Sequence, residues 1–221
     1  MKGHKWFAAV YDPLFSKHAE ETFMKELRPR ILSGAHGRVL EIGAGTGASL
    51  PYYRGHSFEE LVITEPDSFM LERLRQKLDS GLNATIVQAP AEELPFPDAS
   101  FDAVVSVHVL CSVRNVQKAL IEVRRVLKQD GEFRFLDHVR SRSPAGALAQ
   151  HAVQPLWSWL GAGCHPNRDI ASEVTKAGFQ LKEIERLRPF GVRESMLIGA
   201  VTQPHVFGVA MPAPVEEHVK A

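Results

Sequence analysis

The residues best suited to chemistry gather around a run of glycines. Val39–Leu50 reads VLEIGAGTGASL, so Gly43, Gly45 and Gly47 directly follow a short apolar, β-branched run. Glycine lets the backbone turn sharply and lets a ligand approach the main chain without meeting a Cβ. Amides at a following helix start favour an anionic group. The spacing is G-x-G-x-G, with Ala48 where the dinucleotide fingerprint G-x-G-x-x-G has its third glycine. That spacing argues against a nicotinamide dinucleotide. Glu41 stands two residues before the first glycine, and a second acid, Glu65, ends the next β-branched run in the sequence TEPD.

A second group of reactive side chains lies further along. His108, Asp137 and His138 stand at the ends of two later strand-like runs. Open α/β sheets bind ligands beyond the C-terminal ends of their strands, which makes all three candidate acid–base groups. Asp137 and His138 point to opposite faces if the strand continues that far. Asp137 shares its parity with Phe133 and Phe135 and is the favoured base. Cys111 reads as a small buried hydrophobe or as a residue facing the pocket. Cys111 and Cys164 have no C-x-x-C spacing and cannot make a closed zinc site, so no metal is expected. Arg168 suits either an anionic ligand or a tie to a loop.

These residues need a frame, and the hydrophobic pattern supplies one. Arg38–Ile42, Glu60–Thr64, Ala84–Gln88, Phe101–His108 and Gly131–His138 are strand-length runs, several of them apolar on both faces. Between them, Pro66–Ser80 and Asn115–Gln129 carry apolar residues at helical spacing. Gly81 is the expected stop of the first helix. Asn115 is the expected N-cap of the second, and Gly131 its closing residue. Strands alternating with helices make βαβ units. A further helix over 167–177 ends at Gly178. Two last runs, Phe179–Leu187 and Met196–Gln203, have hairpin spacing. The pattern predicts a doubly wound α/β fold: a mostly parallel seven-stranded sheet, helices on both faces and an antiparallel last strand.

The organisation read from this is one sheet domain over 34–204. It is preceded by N-terminal lid helices over 1–33, interrupted by a cap insertion over 144–165, and followed by a loosely packed tail over 205–221. The insertion carries Pro155, Leu156, Trp157 and Trp159. Its apolar face suits a lipophilic acceptor, a membrane surface or a second copy of the chain, so monomer and homodimer both stay open.

Composition narrows the classes. The 221 residues hold 26 Lys plus Arg and 26 Asp plus Glu, a net charge of zero. A neutral chain lacks the electrostatic footprint of a nucleic-acid binder. The apolar N-terminal stretch is broken by Asp12, Pro13 and Lys17, too short to span a bilayer. Two cysteines make no disulfide framework, and the reading is a cytoplasmic protein with free thiols.

The E-x-G-x-G-x-G run, on a strand and ahead of a helix, resembles the first motif of class I S-adenosylmethionine (SAM) methyltransferases. The phrases HVLCSVRN, EVRRVLKQDGEFRFLDHV, VQPLWSWLGAGC and GCHPNRDI narrow the likeness to the methyltransferase-like seven branch of thiol S-methyltransferases, over roughly residues 5–203. The resemblance implies SAM as methyl donor and S-adenosylhomocysteine (SAH) as product. Amides around Gly45–Ala48 would take the methionine carboxylate. Glu41 and the main chain of Gly43 and Ala44 would take the ammonium. Glu65, with Pro66 beside it, would hold the ribose, and Gly47 would shape the turn. In the family an acidic side chain after the third strand holds the adenine. That position is Pro90 here, so the Ala91 amide and Glu92 are the substitutes. His108 would border the methionine end, and Tyr11 of the YD pair would close over it.

The acceptor implied is a small, fairly apolar molecule, thiol sulfur first, with a lipid head-group amine or a quinone-type carbon as alternatives. A non-catalytic SAM-binding regulator is the alternative of another class.

Overall fold

The β-branched runs pair as one sheet. The computed structural model describes residues 24–78, 81–161, 163–187 and 204–214. Strands β1 (Arg38–Ile42), β2 (Glu60–Thr64), β3 (Ala84–Val87), β4 (Phe101–Val107), β5 (Leu127–His138), β6 (Phe179–Leu187) and β7 (His205–Pro212) lie in the order β3-β2-β1-β4-β5-β7-β6. β1 to β5 pair in parallel, and β7 runs antiparallel to both β5 and β6. Among the described residues the helices are α1 (Lys25–Leu32), α2 (Leu50–Tyr53), α3 (Ser68–Lys77), α4 (Val116–Val126), α5 (Pro144–Leu160) and α6 (Ile170–Lys176).

Strand alternation explains the layers. Val39, Leu61, Ile63, Ala103 and Val105 face α1 and α3, packing with Ile31, Leu32, Leu71 and Leu74. Leu40, Ile42, Val62 and Val104 face the other way, onto Leu120 and Val123 of α4 and Ile170 and Val174 of α6. Sequence order reverses between β1 and β4, the switch point where such sheets open a ligand crevice.

The helix boundaries show which local signals act. Asn115 caps α4 as its type predicts, its side chain accepting from the Lys118 N–H. The helix then ends at Val126 rather than Gln129, because Leu127 already pairs with Phe101 of β4. Gly131 therefore lies inside β5 and stops nothing; a Cβ there would stand 2.9 Å from the Asp102 carbonyl oxygen. α3 is capped by Asp67 and ends at Lys77, four residues before Gly81.

The C-terminus departs from expectation. The last strand is His205–Pro212, in what reads as a loose tail, and it is buried almost throughout. Met196–Gln203 lies outside the described residues. β7 sits inside the sheet, so both its faces are covered: Phe207 and Val209 pack on one side, Val206 and Ala210 on the other. Flanking prolines, Pro204, Pro212 and Pro214, hide this short strand in the sequence. Gly208 lets it close on β5, since a Cβ there would run into the Phe135 ring. Gly208→Ala is expected to destabilise by on the order of 1–3 kcal/mol through overpacking. Thermal unfolding followed by circular dichroism checks this, and an unchanged midpoint would contradict it.

Of the 1–33 segment, Met24–Ser33 is described. Met24, Ile31 and Leu32 of this stretch are buried against the sheet. Arg134 of β5 donates to the Ile31 carbonyl at 2.6 Å and ties α1 down.

Candidate functional site: the glycine turn and the imidazole cluster

Gly43, Gly45 and Gly47 all have positive φ (60°, 60° and 84°), the left-handed region that disfavours a side chain. A Cβ on Gly43 would meet Val109 at 2.8 Å, and one on Gly47 would meet Leu74 at 2.7 Å. Gly45 differs. Its nearest neighbour would be the Met70 sulfur at 4.0 Å, so the turn is open on that side.

The two acids shape this turn in ways their spacing does not reveal. Glu65 is 5% exposed. Its Oε2 accepts the Gly45 N–H and its Oε1 the Asp67 N–H, both at 2.8 Å. Burial pushes its carboxyl up to about 7, against the pull of those two bonds. Each carboxylate oxygen keeps a second lone pair for a hydroxyl donor. The Gly47 N–H donates to the Ala44 carbonyl, and the Ala44 N–H to Thr64. The Gly45 and Gly47 amides expected to hold a carboxylate are thus already engaged within the turn.

Glu41 is buried on the α1 side of β1. Its Oε1 accepts the Ser49 hydroxyl at 2.6 Å, and Arg28 donates to that same Ser49 oxygen. Burial raises the Glu41 carboxyl, with Ser49 and the Arg28 charge opposing. Glu41 Oε2 ends without a hydrogen bond; the buried Tyr53 hydroxyl lies beside it without bonding geometry. An orphaned buried carboxylate oxygen fits an ammonium donor.

The loop after β3 places Ala91 in the core. Glu92 Oε1 accepts the Arg114 and Asn115 N–H groups at 2.9 and 3.3 Å, tying that loop to the start of α4. Its carboxylate therefore has a structural employment that the adenine reading did not foresee. Gln88, which the sequence reading passed over, donates to the Pro66 carbonyl at 3.1 Å and joins the β2 and β3 loops. Tyr11 lies outside the described residues.

At the other side of the crevice three imidazoles converge, and strand register explains why. Ile42 pairs with Ser106, which sets His108 beside the glycine turn. His138 pairs directly with His205 across β5 and β7. The His108 and His138 rings stack at 4.5 Å and 16°. His205 stands 4.5 Å from His138 and 5.1 Å from His108. His108 adopts φ 58°, uncommon for a non-glycine residue. Burial first, then the neighbouring imidazoles, hold it well below the usual histidine range, so it is neutral at pH 7. His108 Nε2 is buried without a hydrogen bond. His205 went unseen because it begins the strand read as tail.

Asp137, the favoured base, is placed differently. It is fully buried on the opposite face from His138, and its Oδ1 accepts the Cys111 N–H at 3.0 Å. Burial pushes its carboxyl well above the usual range. His108 and His138 are half-buried, whereas Asp137 is fully buried and holds the loop after β4 through Cys111. Arg168 resolves to a loop tie, donating to the Leu110 and Val113 carbonyls. Helix α5 is pinned by the buried Gln150, which donates to the Val139 and Pro166 carbonyls and accepts the Ser141 N–H. It turns Leu148, Leu156 and Trp159 outward, 69%, 63% and 79% exposed. Among the described residues, no helix is long and apolar enough to cross a membrane.

Comparison with known proteins agrees with this geometry. Residues 40–135 match the family described as "Methyltransferase domain". The chain is 32% identical over 216 residues to human thiol S-methyltransferase TMT1B, spanning 93% of this chain and 84% of that protein. It is 35% identical over 189 residues to the phosphatidylethanolamine N-methyltransferase of Cereibacter sphaeroides, spanning 80% of this chain and 85% of the relative. The crystal structure of YcgJ from Bacillus subtilis superposes with a TM-score of 0.67 at 21% identity, covering 86% of this chain and 99% of that one, a likeness of fold. With the open glycine turn, the two buried acids and these relatives together, the chain belongs to the SAM-dependent methyltransferases, in the family of the TMT1 thiol S-methyltransferases.

Proposed function

We propose that this methyltransferase transfers its methyl group to the sulfur of a small, fairly apolar thiol in the cytoplasm. The observation that carries the reading is the convergence of three imidazoles beside the glycine turn. SAM supplies an activated methyl on a sulfonium and needs no further activation. The chain's task is alignment, for which holding two reactants in line can supply about 7–11 kcal/mol. Glu41 Oε2 receives the ammonium, Glu65 receives the ribose hydroxyls, and the open side of Gly45 admits the methionine portion. His108, with His138 stacked against it, receives the acceptor's proton. A thiol of pKa about 8.5 is partly ionised at pH 7, so a weakly basic, neutral imidazole suffices.

A specific observation favours a second reading, a lipid head-group amine: the similarity to the Cereibacter sphaeroides enzyme. An ammonium acceptor asks more of the base, because it must be deprotonated before it can attack. The test is methyl transfer from labelled SAM to an alkyl thiol, phosphatidylethanolamine and a phenol in parallel, read by mass spectrometry. The thiol is expected to gain the methyl. A methylated amine with an unmodified thiol would overturn the proposal in favour of the second reading. SAM binding with no acceptor methylated would point to a regulatory binding protein.

A further inference from the structure

Two thiols and an imidazole meet where β4, β5 and the end of α5 come together. Cys111 follows β4, His138 ends β5, and Cys164 follows α5. Cys111 Sγ lies 3.6 Å from Cys164 Sγ and 3.6 Å from His138 Nδ1, and Cys164 Sγ lies 3.7 Å from the same nitrogen. Both cysteines are free. The triangle has the dimensions of one face of a tetrahedral coordination shell. Zinc bonds of about 2.3 Å to sulfur and about 2.0–2.1 Å to nitrogen put tetrahedral ligands about 3.8 Å apart for S···S and about 3.5–3.6 Å apart for S···N. All three observed edges agree to within about 0.2 Å of those values.

The surroundings hold the three donors in place. The Asp137 carboxylate takes the Cys111 N–H, and the Cys111 carbonyl accepts the His165 N–H at 2.7 Å. Arg168 grips the carbonyls of Leu110 and Val113 on either side of Cys111. The Cys164 N–H donates to Gly161 at 3.0 Å. Ligand-bearing loops fixed by outer hydrogen bonds are what a metal site requires. Both cysteines are buried, whereas His138 is half-buried and stacks on His108. Of the three donors, His138 is thus the most exposed, on the side where the methyl acceptor is proposed to sit.

We propose that Cys111, His138 and Cys164 bind one zinc ion, and that its fourth position takes the acceptor sulfur as a thiolate. The absence of C-x-x-C spacing gave no hint of this, because the cysteines are 53 residues apart and only the fold joins them. Three protein ligands with one open position are the pattern of catalytic rather than structural zinc, and Cys₂His sets are among them. On binding, the thiol S–H bond breaks and its proton passes to the neutral His108 imidazole. The sulfur lone pair then forms the new S–CH₃ bond. The bond from methyl carbon to sulfonium breaks, its electron pair stays on sulfur, and neutral SAH results. The thioether product is uncharged, binds zinc weakly and leaves. The zinc site stands on the triangle alone; its role at the acceptor rests on the thiol reading above.

The full chain, expressed with zinc and purified without chelator, is tested by elemental analysis and by cobalt(II) substitution. About one metal per chain is expected, falling to under about a tenth in Cys164→Ser. Cobalt is expected to give the intense thiolate charge-transfer bands of a tetrahedral site, and an added alkyl thiol to shift them. SAH affinity of the variant should stay within about threefold of the parent. If Cys164→Ser fails to fold, stripping the parent protein with a chelator and restoring it with zinc gives the same readout. No metal retained after equilibration with micromolar zinc overturns the site. Cobalt bands that ignore added thiol overturn the open position. Bands that respond to thiol, in a protein that methylates only amines, uphold the site and overturn the thiol reading.

Discussion

Replacing Glu65 with Gln is expected to weaken SAH binding by about 10²-fold or more. The proposed ribose contact puts two charge-assisted hydrogen bonds at stake, each worth roughly 1.5–3 kcal/mol. The substitution also sets an amide NH₂ against the N–H of either Gly45 or Asp67, both of which now donate to the carboxylate. The same residue makes binding pH-dependent. Burial raises the Glu65 carboxyl from 4.5 to about 7 in the unliganded protein. Hydroxyl donors favour the ionised form, so ligand binding expels a proton below that pH. Affinity for SAH is expected to rise by up to about tenfold per pH unit as pH climbs towards 7, then to level. For stability the sign is opposite. Between pH 4.5 and 7 the unfolded chain ionises this group more readily than the folded one, so stability attributable to Glu65 falls as pH rises through that window. Calorimetric titration at pH 6, 7 and 8 checks the first effect. A Glu65→Gln variant with the parent's pH slope would show that another group is responsible.

His108→Asn is expected to lower kcat for methyl transfer by about 10²-fold, within the usual range for loss of a positioned base. Asparagine is the informative replacement because it tolerates the left-handed backbone that His108 adopts at φ 58°, whereas alanine would add strain. The neutral imidazole and its orphaned Nε2 are removed, while the Glu41 and Glu65 contacts remain. SAH affinity should change by less than about threefold, since the hydrogen bonds of Glu41 and Glu65 are made to Ser49, Gly45 and Asp67 and none to His108. Single-turnover methyl transfer beside an SAH titration separates the two. Unchanged kcat would mean that His108 only packs between its neighbours. Weakened SAH binding with unchanged kcat would assign it to the donor instead.

Much of this protein is legible in its sequence because much of it is local. Strands β1 to β4 are β-branched runs, and the burial of β1, β2 and β4 follows from helices covering both sides of the sheet. Asn115 caps α4 because its side chain reaches an amide three residues on, a distance fixed within the chain. The glycines announce a left-handed turn because no other residue adopts three such conformations so cheaply, and all three have positive φ. Glu65 at the end of β2 is visible for the same reason: one strand and one turn place it.

What escaped depended on partners far along the chain. β7 is recognisable only when β5 and β6 flank it, since pairing on both edges turns a short proline-bounded segment into a buried strand. His205 therefore joined the imidazole cluster by register with His138 rather than by any motif. Asp137 and His138 are neighbours on β5, yet their surroundings differ because the loop after β4 buries Asp137 and β7 sets His205 against His138.

The amino-acid order alone determined the layered sheet, the glycine turn and the pair of acids beside it, because hydrophobic period and backbone conformation act over a few residues. The tertiary structure alone decided which reactive groups meet. Cross-strand register and loop closure brought together His108, His138, His205 and the two cysteines, and no short-range rule encodes such meetings.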